Sequence, residues 1–244
     1  TLLLWPFDRT RVAWDVIGII DFAFTFALLA GVLAAARRRQ AAPARTALVF
    51  CTIYLAFGAV QRGRVLDVQE QLAAERGHHI DRGRAMPLPG TLVLWRSIYE
   101  SDGFIYADHV RTSLPGLGVM TVQTGRRIRR LTVDRLREQG YEDPLKLAAF
   151  ERFDWFTDGY SAWDERREHV VGDMRYATRP DWFVSLWGLN LHAPGSDAPP
   201  QVASAPRSPD GSSARGEAVK RMWEALTGAD DTYMPLQDLI AEAE

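Results

Sequence analysis

VIGIIDFAFTFALLAGVLAAA, residues Val16 to Ala36, runs straight into Arg37-Arg38-Arg39, and its reading decides the class of this chain. The run is almost wholly apolar and holds one acid, Asp21. A helix over it extends roughly 30 Å at 1.5 Å per residue, the thickness of a bilayer's hydrocarbon core. The arginine cluster marks where such a helix leaves the lipid on a cytoplasmic face. A second apolar run, Thr46 to Val60, follows the connection Gln40-Ala41-Ala42-Pro43-Ala44-Arg45. That connection suits only an antiparallel helix pair. The second run is short, so it borrows the preceding alanines while Arg45 reaches back to the interface. Read alone, it also fits a buried helix of a soluble domain. Trp5, Phe7 and Trp14 suit a headgroup layer ahead of the first span.

The expected fold is a membrane-anchored α+β protein: two transmembrane helices, then a small, mainly antiparallel extramembrane domain with short helices. Its membrane region is 1–61, with spans at about 16–36 and 46–60, followed by a juxtamembrane helix in 62–84. The extramembrane domain is 85–192, a disordered linker 193–216 and a helical tail 217–244. The loop between the spans has four basic residues and no acid, whereas Arg62 and Arg64 are soon mixed with Asp67, Glu70 and Glu75. Arginine counting therefore puts the loop in the cytoplasm and everything after residue 61 outside, in a bacterial periplasm.

Composition bounds the function. A mean hydropathy of -0.17 is too low for a polytopic transporter, and two spans with one acid give neither a repeat nor a pair of broken helices. A net charge of -2 argues against a nucleic-acid partner; the lipid bilayer is the expected one. Cys51 is the only cysteine, so there is no disulfide framework and no cysteine zinc site. Thr1-Leu2-Leu3-Leu4-Trp5-Pro6 resembles no signal peptide, and the chain reads as though its beginning lay upstream.

In the water-facing part, Val65 to Arg76 has helical spacing with Gly77 as its stop. Thr91–Tyr99 and Phe104–Arg111 read as strands joined by the hairpin turn Ser101-Asp102-Gly103. Leu131–Gln139 and Asp143–Arg152 read as helices, Pro144 sitting in a first turn. Val170–Tyr176 and Phe183–Leu191 read as further strands. Residues 193–216 carry hardly a large apolar side chain and are expected to stay unfolded. Helical stripes recur at Glu217–Leu226 and Leu236–Ala243.

Asp21 is the first candidate site residue, because an intramembrane acid usually faces a partner, a cavity or a site. Asp15 lies six residues earlier. His78-His79-x-Asp81 mimics a ligand cluster, but adjacent histidines seldom point the same way, and a solvated helix end explains them. His109 and His169 fall in strands with no ligand at short spacing. Arg126-Arg127-Ile128-Arg129-Arg130 suits either anionic headgroups or a solvated face. Two acids and four aromatics crowd into Phe153-Asp154-Trp155-Phe156-Thr157-Asp158-Gly159-Tyr160, a packed turn or a shaped surface. No HExxH, CxxC, GxSxG or P-loop is present.

Several motifs carry a resemblance. Trp155-Phe156-Thr157-Asp158-Gly159-Tyr160, Gly172-Asp173-Met174-Arg175-Tyr176, Pro180 and Leu186-Trp187-Gly188-Leu189 resemble the C-terminal signature of the YdjM-like (DUF457) inner-membrane proteins. Met86-Pro87-Leu88-Pro89-Gly90 through Leu94-Trp95-Arg96, Trp5-Pro6-Phe7 and Asp15 through Ile19-Ile20-Asp21 are similar to its other landmarks, over roughly residues 1–192. The family is described as membrane-bound metal-dependent hydrolases. The resemblance implies a divalent metal, zinc by preference, activating water against an ester or phosphoester. It makes Asp21, and more weakly Asp15, metal-site residues, with Asp158, Asp173 and Arg175 as polar contributors from the soluble domain. The family's remaining ligands lie in a membrane half upstream of the match to Thr1, and its proline after the aspartate is replaced here by Phe22. The alternative is a membrane-anchored binding or scaffold module without catalysis.

Overall fold

A computed structural model describes residues 6–8, 12–114, 118, 120–177, 183–204, 220, 223–227 and 232–241. Its axis is a single helix, α2 (Ala42–Glu75), 34 residues and about 50 Å long. The second apolar run and the juxtamembrane helix, separate in the sequence reading, are two halves of this one element. Antiparallel to its first half lies α1 (Phe22–Arg38), whose C-terminal turn ends at Arg39 in the left-handed conformation. The two helices touch through small residues: a Cβ on Gly31 would sit 2.3 Å from the Ala47 Cβ, and Cys51 is buried in the seam. Small residues at the seam are what let the two backbones approach this closely.

The first apolar run is not helical from its start. Residues 16–21 are irregular, and α1 begins only after Asp21, whose carboxylate accepts the Phe24 amide at 2.9 Å as an N-cap. The preceding segment wedges between α2 and the water-facing lobe. A Cβ on Gly58 would lie 2.1 Å from the Val16 carbonyl, and the Gly90 amide donates to Ile20 O at 2.7 Å.

The lobe has four layers: the second half of α2, a first sheet, a second sheet, and two short helices. The first sheet comprises β1 (Arg82–Pro87), β2 (Leu94–Ser101), β3 (Phe104–Arg111), β4 (Thr121–Gln123), β5 (Arg127–Arg129) and β10 (Met234–Pro235), ordered β1-β2-β3-β4-β10 with β5 also pairing β3. The second comprises β6 (Ser161–Trp163), β7 (Val170–Asp173), β8 (Trp187–Asn190) and β9 (Gln201–Ser204) in that order. α3 (Val133–Glu138) and α4 (Pro144–Phe156) pack on the second sheet through Leu136, Phe150, Val171 and Leu189. α5 (Leu236–Ala241) adds Leu236 to the core beneath α2.

The hairpin turn between β2 and β3 is a two-residue one, Asp102 and Gly103 both having positive φ (51° and 72°), the geometry that matches strand twist. Alternation then assigns each side chain a face. Trp95, Ser97 and Tyr99 point at α2, where Val65, Val68 and Leu72 pack on Trp95 and the Gln69 Nε2 donates to Ser97 Oγ at 2.8 Å. Arg96, Ile98 and Glu100 point the other way, and Ile98 joins Tyr160, Met174 and Phe183 between the sheets. At the far end Arg76 grips Asp108 through two hydrogen bonds of 2.9 and 2.8 Å.

Two further expectations change. β9 falls inside 193–216, so that stretch contains an edge strand held by backbone pairing to β8; residues 205–216 lie outside the described ones, as do 217–219, 221 and 222. Residues 174–176, expected to extend a strand, form a 3₁₀ turn capped by Asp173.

The tight and open glycines of α2 should respond oppositely to substitution. Gly58→Leu is expected to cost about 1–3 kcal/mol by overpacking against Val16. Gly63→Ala, with nothing within 4 Å of its added methyl, should gain up to about 1 kcal/mol from helix propensity. Thermal melting of the full chain reads both.

Candidate functional site

Strand β1 turns Arg82 and Arg84 to the same face, toward the corner between α4 and β6. That corner, Thr157-Asp158-Gly159, is the turn of the aromatic–acid cluster; Asp158 and Gly159 both have positive φ (58° and 71°). Arginines hold it in place. Arg82 donates to the carbonyls of Asp158 and Gly159, the latter at 2.7 Å, and its Nε reaches Glu100 at 2.6 Å. Arg130 donates to Gly159 O at 3.0 Å and lies 3.6 Å from Asp154. A side chain on Gly159 would strike the Arg82 and Arg130 guanidinium groups.

Arg84 links this corner to the N-terminal segment. Its Nε and Nη2 hold the Asp15 carboxylate at 2.8–3.0 Å, and its Nη1 lies 3.3 Å from Asp158 Oδ2. Arg84 and Asp15 are largely shielded, whereas Asp158 is half exposed. A fork-shaped guanidinium is suited to such a shared contact.

Around this pair opens a cavity of about 880 Å³. One wall is α2, through Leu55, Ala56 and Ala59; another is the segment from Val12 to Ile19. The lobe closes it with Arg84, Phe156, Asp158, Arg175, Tyr176 and Trp187. Three expected site residues, Asp15, Asp158 and Arg175, therefore meet in one place. Asp173 stands behind them: fully buried, it holds the Arg175 Nε and Nη2 at 2.9 and 2.7 Å, and Arg175 also donates to Phe156 O. Asp21 lies elsewhere, nearly buried at the start of α1, and its second oxygen accepts the Tyr54 hydroxyl at 2.8 Å.

These donors do not fit a metal centre. Both Asp21 oxygens accept hydrogen bonds, and both Asp15 oxygens face one guanidinium. Among the described residues no three His, Cys, Asp or Glu side chains gather as a ligand group. The His78–Asp81 cluster disperses: His78 stacks on Tyr106 at 4.3 Å and hydrogen-bonds Tyr99 OH at 2.9 Å, while His79 and Asp81 are exposed. Burial, chiefly, and the nearby Arg76 lower the pKa of His78. His169 pairs with the Tyr141 hydroxyl at 2.9 Å. In the basic run, Arg127 and Arg129 both stack on Phe104, and β5 lies beside the C-terminal end of α2, away from its apolar half.

The sequence reading missed Arg84, Tyr176 and Trp187. Arg82-Gly83-Arg84 alternates as a strand does, but Gly83 and Pro87 mask that signal. No protein-family model, curated protein or solved structure matches this chain.

Truncating Arg84 leaves Asp15 shielded and unpaired. Loss of a buried partner costs about 3–5 kcal/mol, and the partial exposure here reduces the expectation for Arg84→Ala to about 2 kcal/mol. Arg84→Lys should recover less than half of it, because the fork is lost. His109 gives a separate pH signature. Fully buried between the sheets, and beside Arg96, it has its pKa pushed down from 6.5 to about 3, burial being the larger cause. Below pH 6.5 the unfolded chain binds a proton there that the fold refuses, so stability falls as pH drops from about 6.5 toward 3. His109→Gln should flatten that slope in acid unfolding series.

Proposed function

We propose that the chain is anchored in a bilayer by the α1–α2 hairpin and that its lobe binds an amphiphilic ligand in the cavity at the hairpin's base. Support for the anchor comes from the surface of the hairpin. Phe22, Phe26, Leu29, Val32 and Leu33 of α1 and Leu48, Val49, Ile53 and Val60 of α2 are all more than half exposed. α2 is long and apolar enough to cross a membrane, and only 17% of its apolar window is buried, unlike a core helix. α1, at 17 residues, is about 25 Å long, so a span through it needs the apolar residues before Asp21 or a locally thinned bilayer. Arg37, Arg38, Arg39 and Arg45 cluster at the hairpin's turn, the end opposite the lobe. That distribution supports a cytoplasmic turn and a periplasmic lobe at a bacterial inner membrane.

One observation carries the ligand reading: the same cavity is walled by Leu55, Ala56 and Ala59 of the apolar half of α2 and by charged side chains of the lobe. A molecule with a tail in lipid and a polar head in water matches those two linings. The resemblance to the YdjM-like proteins extends the proposal to the C-terminal part of a membrane-bound metal-dependent hydrolase, its substrate an envelope or lipid-linked ester. On that reading the lobe presents the substrate, and the divalent ion takes its ligands from residues other than the described ones. A non-catalytic binding or scaffold module is the second reading, favoured by the commitment of Asp15 and Asp21 to internal partners.

Alkaline carbonate washing of membranes should leave the chain in the pellet, and detergent should release it. Impermeant thiol reagents applied to intact spheroplasts should label a cysteine placed at Asp81 but not one at Gln40. A chain that is monodisperse without detergent would contradict the anchor. Labelling at Gln40 and not at Asp81 would reverse the orientation.

A further inference from the structure

The polar groups lining the cavity are not all free to meet a ligand, and those that are free have a distinct chemistry. Arg84 is spent on Asp15 and Asp158. Arg175 gives its Nε and Nη2 to Asp173 and the Phe156 carbonyl. The cations of the pocket are thus each matched by a carboxylate.

Arg175 Nη1 and the Trp14 indole N–H, which enter no hydrogen bond among the described residues, keep their donors, and three further groups remain. Asp158, with 52% of its side chain exposed, makes a single 3.3 Å contact to Arg84 and keeps most of its acceptor capacity. The Tyr176 hydroxyl has no hydrogen-bond partner among the described residues, and the indole N–H of Trp187, another lining residue, is closed off without an acceptor. The unspent set is therefore one anionic acceptor, one hydroxyl that donates or accepts, and the donors of Trp187, Trp14 and Arg175 Nη1. Tyr176 and Trp187 lie ring to ring at 4.9 Å, and Phe156 adds a third aromatic face to the lining.

A phosphate head would face the Asp158 carboxylate at a site where Arg84 and Arg175 are outnumbered by the Asp15, Asp158 and Asp173 carboxylates that hold them. A sugar fits the set on each count. Its hydroxyls donate to Asp158, accept from the Trp187 N–H and exchange either way with Tyr176, while its C–H faces lie against aromatic rings. Resting on the amphiphile reading above, we propose that the cavity selects a sugar-headed amphiphile, with Asp158, Tyr176 and Trp187 as the head-recognising residues and the Leu55–Ala59 face of α2 receiving the tail.

Three probes with one tail separate the chemistry of the head: octyl glucoside, octyl phosphate and octyltrimethylammonium. Each is titrated below its micellar concentration against the full chain in phosphatidylcholine nanodiscs, and the saturable one-to-one component is measured by calorimetry. Octyl glucoside should bind at least tenfold more tightly than octyl phosphate. Asp158→Asn and Trp187→Phe should each weaken the glucoside by about fivefold or more, and Asp158→Asn, which removes the opposing carboxylate, should not weaken octyl phosphate; two variants guard against one that misfolds, and far-ultraviolet circular dichroism checks both. Tightest binding by octyl phosphate or by the ammonium would overturn the sugar head while leaving an amphiphile site in place. No saturable binding by any probe would overturn the amphiphile reading itself.

Discussion

Helix α2 has to satisfy two environments with one unbroken backbone. Its first half presents Leu48, Val49 and Ile53 outward, and its second half buries Val65, Val68 and Leu72 against a sheet. Between them the polar residues Gln61 and Arg64 do not end the helix, because the lobe supplies their partners. Gln61 donates to Thr112 Oγ at 2.9 Å, and Arg64 Nη1 donates to Gln61 Oε1 at 2.7 Å and to the Ser113 carbonyl. An unbroken rod fixes the distance and rotation between hairpin and lobe. That fixed relation is what creates a cavity between α2, the N-terminal segment and β1.

The cavity's electrostatics follow from strand alternation. Because β1 puts Arg82 and Arg84 on one face, two guanidinium groups reach the α4–β6 corner together. Arg82 takes its carbonyls while Arg84 takes its carboxylate and Asp15. The corner is thus tied at once to the first sheet and to the segment that packs on Gly58 of α2. Such a buried ion pair is weak as a source of net stability and strong as a constraint on arrangement, since breaking it strands a charge. The pocket's lining is therefore built from residues whose positions depend on one another across 69 and 74 positions of sequence.

Much of this was legible in the sequence, and the failures have physical causes. β3 matches its expected bounds because Asp102-Gly103 supplies the left-handed turn that a hairpin demands, and α4 begins where Asp143 caps and Pro144 opens the helix. Asp21 drew attention as a misplaced acid, but the role visible in the structure is a helix cap with a tyrosine partner, one that depends on Tyr54, 33 residues away. Gln61-Arg62-Gly63-Arg64 looked like a membrane exit followed by a break; Thr112 and Ser113, which absorb that polarity, are about fifty residues downstream. β9 was invisible because most of its side chains stay exposed and only its backbone is paired. Of the residues that line the cavity, Asp15, Asp158 and Arg175 were named in the sequence through the motifs of the family resemblance. Arg84, Tyr176 and Trp187 needed the fold.

The continuity of α2 from an apolar to a buried environment is tested most directly by a nitroxide scan. Single cysteines are placed at each position from Ala44 to Ala74 in a Cys51→Ser background, and relaxation by oxygen and by a water-soluble nickel chelate is measured in bilayers. The account predicts one uninterrupted 3.6-residue period. Oxygen should dominate its outward positions up to about Val60, and neither reagent should reach Val65, Val68 or Leu72. A phase break at 61–64, or free access of the nickel chelate to Leu48, Val49 and Ile53, would contradict it.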